Sequence, residues 1–194
     1  MASWLIDIGV TYGVPRESFA LVPPGIDHEL FRPRAPLDER PIDVTVLHHP
    51  FPEKGWSTAL AMLELLREQR PDLHLVVFGR RDPRPLPDGV TFVDSPDQTR
   101  LAEEIYSSTR IFVQTSRREG FGLTPLEAMA CGAALVSTDC GGSRDYALAG
   151  RTADVVPVED PPALVEAVLA LLDDEPRRLA LSLIHISEPT RPLH

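Results

Sequence analysis

The chain has 194 residues, 43% of them apolar and 25% charged, and a formal net charge of −10 at pH 7. That is enough for one domain with a full core and argues against wholesale disorder. The acidic balance, with no lysine- or arginine-rich run, excludes a broad nucleic-acid-binding face, and two cysteines are too few for a disulfide scaffold.

No apolar stretch reaches the roughly 18 residues a membrane-crossing helix needs. Met1 is followed by Ala-Ser-Trp-Leu-Ile-Asp, which lacks the basic start and apolar run of a signal peptide. A reduced, cytoplasmic setting is expected.

Along the chain, short β-rich runs occur at residues 19–22, 43–47, 73–78, 90–93, 111–114, 133–137 and 154–156. Several are continuously apolar, as in LHLVVF, the pattern of strands covered on both faces. Helical patterns fall between them at 57–70, 97–107, 124–130 and 161–172. The first places Leu60, Leu63, Leu65 and Leu66 among Glu64, Arg67 and Glu68. Many of the 20 prolines, Pro23, Pro24, Pro33, Pro36, Pro83, Pro85 and Pro87 among them, stiffen the connections. Strands alternating with helices predict an α/β fold, a doubly wound parallel sheet of Rossmann-like type, in one domain over residues 1–180. Ligands of such sheets bind beyond the carboxyl ends of the strands. The distinctive segments HHPFPEKG, GRR and SRREGFG each follow a predicted strand there.

Residues 181–191 read LSLIHISEPTR, which resembles the in-frame translation of a transposase adapter used in sequencing libraries. Residues 181–194 are therefore expected to be a non-native tail. A native helix is expected to have continued past Arg178-Leu179-Ala180.

The richest stretch is SRREGFGLTPLEAMACG, residues 116–132. Gly120 and Gly122 bracket Phe121 before a predicted helix, whose N-terminal N–H groups suit an anion such as a diphosphate. By itself the pattern fits a tight turn equally well. Thr124, Pro125 and Glu127 read as a Thr-x-x-Glu capping box with proline at the first helical position. Glu119, beside two glycines, either binds a pair of sugar hydroxyls or stands in solvent. Cys131 reads as core, with Gly132 as the helix C-cap. Trp56 is expected to pack the start of its helix, and His74 to lie in the core or at an edge.

The run from Glu119 to Glu127 resembles the E-x7-E motif of retaining GT-B glycosyltransferases of the group 1 class. SWLIDIGVTYGVPRESFALVPPGIDHELFRP, EKGWSTALAMLELL and CGAALVSTDCGGSRD resemble further segments of the same class, in the right order over about residues 3–180. The resemblance implies the C-terminal, nucleotide-sugar-binding half of a GT-B fold, without the N-terminal domain of the same polypeptide that binds the acceptor. It further implies that Glu119 faces the sugar near the reacting carbon, and that Gly120, Phe121, Gly122, Leu123 and Thr124 present backbone groups to sugar and diphosphate. Glu127 would hold the ribose and Lys54 neutralise the diphosphate. No cofactor or metal is implied, and no nucleic acid; membrane association stays open.

One departure concerns the arginine that this class carries before its lysine. His48-His49 stands there, with His49 an expected donor to the phosphates and Arg80, Arg81, Arg117 or Arg118 alternative sources of charge. Pro24 replaces a common asparagine before Gly25. Base selectivity is expected around Arg80 and residues 92–95. The competing readings are a non-catalytic nucleotide-binding module and a GT-B sugar-nucleotide epimerase or phosphorylase. A nicotinamide-dependent dehydrogenase is disfavoured, because Pro125 stands where a third glycine belongs.

Overall fold

The computed structural model describes residues 3–22, 24–80 and 85–187, with side chains through residue 183. Pro23, Pro83, Arg81 and the last seven residues of the expected tail lie outside them. In chain order the elements are α1 (Ser3–Thr11), β1 (Ile42–His48), α2 (Trp56–Gln69), β2 (Leu75–Gly79), β3 (Val90–Asp94), α3 (Gln98–Arg100), β4 (Thr109–Gln114), α4 (Leu123–Ala130), β5 (Ala134–Thr138), β6 (Asp154–Val156), α5 (Pro161–Asp173) and α6 (Glu175–Ser187). The strands form one parallel sheet in the order β3-β2-β1-β4-β5-β6. The expected doubly wound sheet is present.

Alternation along the strands divides the core between the two faces. Val44, Val46, Ile111 and Val113 join α2 and α5 on one side; Phe78, Phe112 and Leu135 join α4 and Tyr106 on the other. Burial on both faces is why these strands read as continuous apolar runs. Among the described residues, no helix is long and apolar enough to cross a membrane.

Six of the seven predicted strands form; residues 19–22 do not. A strand needs a sheet edge and free N–H groups. Here the Phe19 ring lies against Gly9 of α1, where an added Cβ would come within 2.3 Å of it, and Val22 is 69% exposed. Pro15 and Pro24 flank the run. The helix expected at 97–107 begins as foreseen, with the Asp97 carboxylate accepting the Arg100 N–H at 2.8 Å. It then widens into a π turn at Leu101–Ile105 and tightens into a 3-10 turn at Tyr106–Ser108.

α6 runs through position 181 without a break, and Leu181 and Ser182 are buried. At the far end of α4, Gly132 (φ 88°) closes a Schellman motif, its N–H bonding Met129 and that of Ala133 bonding Ala128. Cys131 is buried there, its thiol pushed up to about 11 chiefly by desolvation.

The amino end of the sheet is tied by Arg40. Its guanidinium is buried and donates to the backbone carbonyls of Thr109 at 2.7 Å, Cys131 at 2.5 Å and Tyr106 at 3.4 Å. Desolvation lowers its pKa to about 10, so it stays charged at pH 7. This one side chain holds the end of α4 against the foot of β4.

Candidate functional site

The winding of the sheet reverses between β1 and β4, because the chain runs outward from β1 to β3 and then returns to start β4 on the other side. Loops leaving the carboxyl ends of two such strands part in opposite directions and leave a crevice. A cleft lies there, lined among others by Leu47, Lys54, Gln114, Ser116, Glu119 and Thr124.

On the β1 side, His48 is buried, its Nδ1 against the Arg80 carbonyl and its ring edge-on to Trp56 at 4.6 Å. It is part of the floor. His49 accepts the Phe51 N–H on Nδ1 at 3.2 Å, which leaves the ring proton on Nε2. Burial, and then the charge of Lys54, hold its pKa below the usual imidazole value. A neutral donor therefore stands where an arginine was missed, and it brings no charge.

A 3-10 turn at Pro52–Lys54 follows, ended by Gly55 in the left-handed region (φ 68°). A Cβ on Gly55 would sit 1.9 Å from the Thr115 carbonyl. Only glycine lets the two loops close that far. They are stitched by Arg117 N–H to the Glu53 carbonyl at 2.8 Å and the Thr115 hydroxyl to the Lys54 carbonyl at 3.2 Å.

That stitching brings Lys54 to Glu119. Nζ and Oε1 are 2.6 Å apart, with the side chains 27% and 10% exposed. The Ser116 hydroxyl donates to the same carboxylate oxygen at 2.8 Å. Glu119 is also fixed through its backbone, its N–H donating to Cys140 at 2.8 Å and its carbonyl accepting from Gly142 at 3.2 Å. The solvated-loop reading of Glu119 does not hold.

Beyond it, Gly120 is exposed and its carbonyl accepts the Trp4 indole N–H at 3.2 Å, while Phe121 packs on Tyr146. Gly122 (φ 92°) begins α4, and a Cβ there would meet the Tyr146 hydroxyl at 2.5 Å. Beneath this turn Gln114 accepts from the hydroxyls of Ser137 at 2.9 Å and Tyr146 at 3.3 Å, leaving its buried Nε2 without a partner.

The capping box does not form. Gly122 is the N-cap and no side chain caps the helix, so Thr124 already has helical backbone and cannot turn its hydroxyl onto the Glu127 N–H. The N–H groups of Leu123 and Thr124 thus begin the helix without a side-chain cap, and Pro125 has none to satisfy. Glu127 is half-buried in the second turn of α4, the helix whose Thr124 and Pro125 line the cleft, and burial raises its pKa. Of the alternative cations, Arg117 pairs with Glu159 at 2.6 Å; Arg80 and Arg118 are exposed.

Gln114, Tyr106 and Tyr146 went unnoticed in the sequence. The first ends an apolar run and the other two carry no motif; their positions beside the glycine turn and α4 arise from packing. Together the groups offer one cation, one carboxylate and an uncapped helix start around a single crevice. That set suits a ligand with phosphate at one point and hydroxyls at another.

The model of the family described as glycosyl transferases group 1 matches residues 27–183. The D-inositol 3-phosphate glycosyltransferase of Kineococcus radiotolerans is 34% identical, over 91% of this chain and 48% of its own length. Among solved structures, the C-terminal domain of a glycosyl transferase group 1 family protein (LpcC) from Francisella tularensis superposes with a TM-score of 0.72 at 20% identity, covering 84% of this chain and 95% of that one. Anabaena HepE, solved in complex with UDP-glucose, gives 0.77 at 15% identity, covering 94% and 55%. The chain spans about half the length of the curated relatives it matches.

Proposed function

This chain belongs to the group 1 glycosyl transferases, and we propose that it is the donor-holding half of a GT-B enzyme that transfers a glycosyl unit from a nucleotide sugar with retained anomeric configuration. The observation that carries this reading is the meeting of Lys54 and Glu119 at the β1–β4 switch point, beside the uncapped start of α4.

In this reading the diphosphate rests at the N–H groups of Leu123 and Thr124 and draws Lys54 away from Glu119. Glu119, released by Lys54 and still held by Ser116, accepts hydroxyls of the donor sugar. Gly120, Phe121 and Gly122 bring the backbone close to sugar and phosphate. Glu127 accepts the ribose hydroxyls, and the Nε2–H of His49 donates to phosphate.

In the transfer, the bond from the anomeric carbon to the diphosphate oxygen breaks with its electron pair leaving on the diphosphate. The acceptor hydroxyl bonds to the same face of that carbon, and its proton passes to the departing oxygen. Lys54 and the aligned amides stabilise the charge that grows on the leaving group. The scheme takes its positive charge from these groups and needs no metal ion. The acceptor belongs to a further N-terminal domain, so this chain alone is expected to bind nucleotide weakly and to transfer nothing. It is expected to act in the cytoplasm.

The test uses the protein extended to the length of its relatives, assayed for transfer from a panel of nucleotide sugars. Lys54→Ala and Glu119→Ala should each lower kcat by about a hundredfold or more, the scale of losing a fixed transition-state donor. Turnover unchanged in both variants would remove this site from the reaction.

A further inference from the structure

The first turn of α1 is fastened to the loops that carry the glycine turn. The Ser3 N–H donates to one Asp145 carboxylate oxygen at 2.8 Å, and the Ser3 hydroxyl donates to the other. Asp145 ends a 3-10 turn at Gly142–Asp145. Just before that turn the Trp4 ring lies over Gly141, where a Cβ would sit 3.5 Å from it. Residue 141 pairs in turn with Glu119, whose N–H and carbonyl bond the backbone of Cys140 and Gly142. The start of α1 thus closes over both strands of the loop that holds the acid.

Within that loop, Glu119 and Gly120 are held very differently. Glu119 has both backbone groups bonded and its carboxylate fixed by Lys54 and Ser116. Gly120 is exposed, with nothing within 4 Å of the place a Cβ would take. Its carbonyl accepts the Trp4 indole N–H at 3.2 Å, across 116 positions of sequence. The peptide between Gly120 and Phe121 is planar and trans, so its C=O and N–H point opposite ways. Drawing the carbonyl to α1 therefore turns the Phe121 N–H away from α1. Among the described residues, no group accepts that N–H. An amide fixed in direction and left unbonded is free for a ligand, and a glycine peptide without such a hold rotates easily.

We propose that Trp4 is a positioning residue, whose indole N–H sets the Gly120–Phe121 peptide so that the Phe121 N–H donates to a hydroxyl of the donor sugar. This rests on the donor reading given above, in which the neighbouring Glu119 carboxylate meets that sugar and α4 meets the phosphates. Trp4 itself touches the backbone and not the reacting atoms.

The experiment titrates this chain with UDP-glucose, UDP-N-acetylglucosamine and GDP-mannose, each beside the sugar-free UDP or GDP, by NMR. The parent should bind at least one sugar form more tightly than its sugar-free counterpart. Trp4→Phe keeps a ring over Gly141 and removes only the N–H. It should weaken that sugar form about threefold, the worth of one partly exposed hydrogen bond, and leave the sugar-free form unchanged. In the unliganded protein the same change should move the Phe121 amide resonance and spare that of Glu119, which Cys140 holds. α1 buries Ile6 alone among its residues, so urea unfolding of Trp4→Phe should match the parent. A purely structural role would weaken both nucleotide forms alike, and that result overturns the inference, as does an unmoved Phe121 amide or no loss at all. A parent that gains nothing from any sugar overturns it too, since no hydroxyl then meets the amide. Binding of no nucleotide by the parent overturns the donor reading itself.

Discussion

The two ends of the sheet treat their polar groups in opposite ways. At the amino end, Arg40 donates to three backbone carbonyls, the hydroxyls of Thr45 and Thr109 meet at 2.7 Å, and Arg110 reaches Asp43 at 2.9 Å. At the carboxyl end, Lys54 and Glu119 neutralise each other across the cleft, Gln114 keeps an unpaired buried amide, and α4 begins uncapped. The first arrangement is closed and should stabilise the fold. The second is provisional, because each of its pairings can be exchanged for one with a ligand. Both ends carry a cation and an acid; what separates them is that Arg40 holds backbone carbonyls that stay, whereas Lys54 holds a side chain that can let go.

Substitutions at the two ends should therefore separate stability from binding. Arg40→Met leaves buried carbonyls without donors and should cost about 3 kcal/mol in urea unfolding. Nucleotide binding by the molecules that remain folded should change far less than it does in Lys54→Ala. A stable Arg40→Met protein would erase the contrast.

Gly55→Ala tests the join between the loops. A side chain there meets the Thr115 carbonyl and must hold a left-handed backbone, so a loss of roughly 2 kcal/mol is expected, together with loss of nucleotide binding as the loops part. Retained binding would show that the cleft does not depend on that closure. Lys54→Ala should be milder for the fold, under about 1 kcal/mol for a partly exposed pair, yet weaken nucleoside diphosphate binding by about tenfold or more. Equal affinity in parent and variant would place the phosphates elsewhere.

The smallest effect concerns Glu127. Its folded pKa is raised above the ordinary 4.5, so the folded state binds that proton more tightly than the unfolded one. The resulting penalty on stability is full above the folded pKa, fades as pH falls through it, and is gone below the unfolded value. Glu127→Gln should thus be slightly more stable than the parent at pH 7, with the gap closing toward pH 4. A gap that widens on acidification would mean that the carboxylate is stabilised by the fold.

Much of this architecture was legible because parallel strands buried on both faces leave a continuous apolar signature; the LHLVVF run is a strand flanked by pairing on both sides. Residues 19–22 carried the same signature but lie against α1, with the Phe19 ring beside Gly9, which composition does not reveal. The N-cap of α4 was misread by two residues, Thr124 for Gly122, which turns Thr124 from a cap into a helical residue. Packing of Gln114 and Tyr146 beneath Gly122 sets that start, and neither is near it in sequence. The glycine turn and the acids at 119 and 127 were visible as a local pattern. The Lys54–Glu119 pair joins residues 65 positions apart. Such pairings are made by the fold and leave no trace in spacing.

The most direct test maps where a nucleotide sugar lands on the ¹⁵N-labelled chain by amide chemical shifts. The account predicts shifts concentrated at Lys54, Gly120, Gly122, Leu123 and Thr124, around the β1–β4 crevice. Shifts gathered at another edge of the sheet, with the amides of the glycine turn and of the first turn of α4 unmoved, would contradict it.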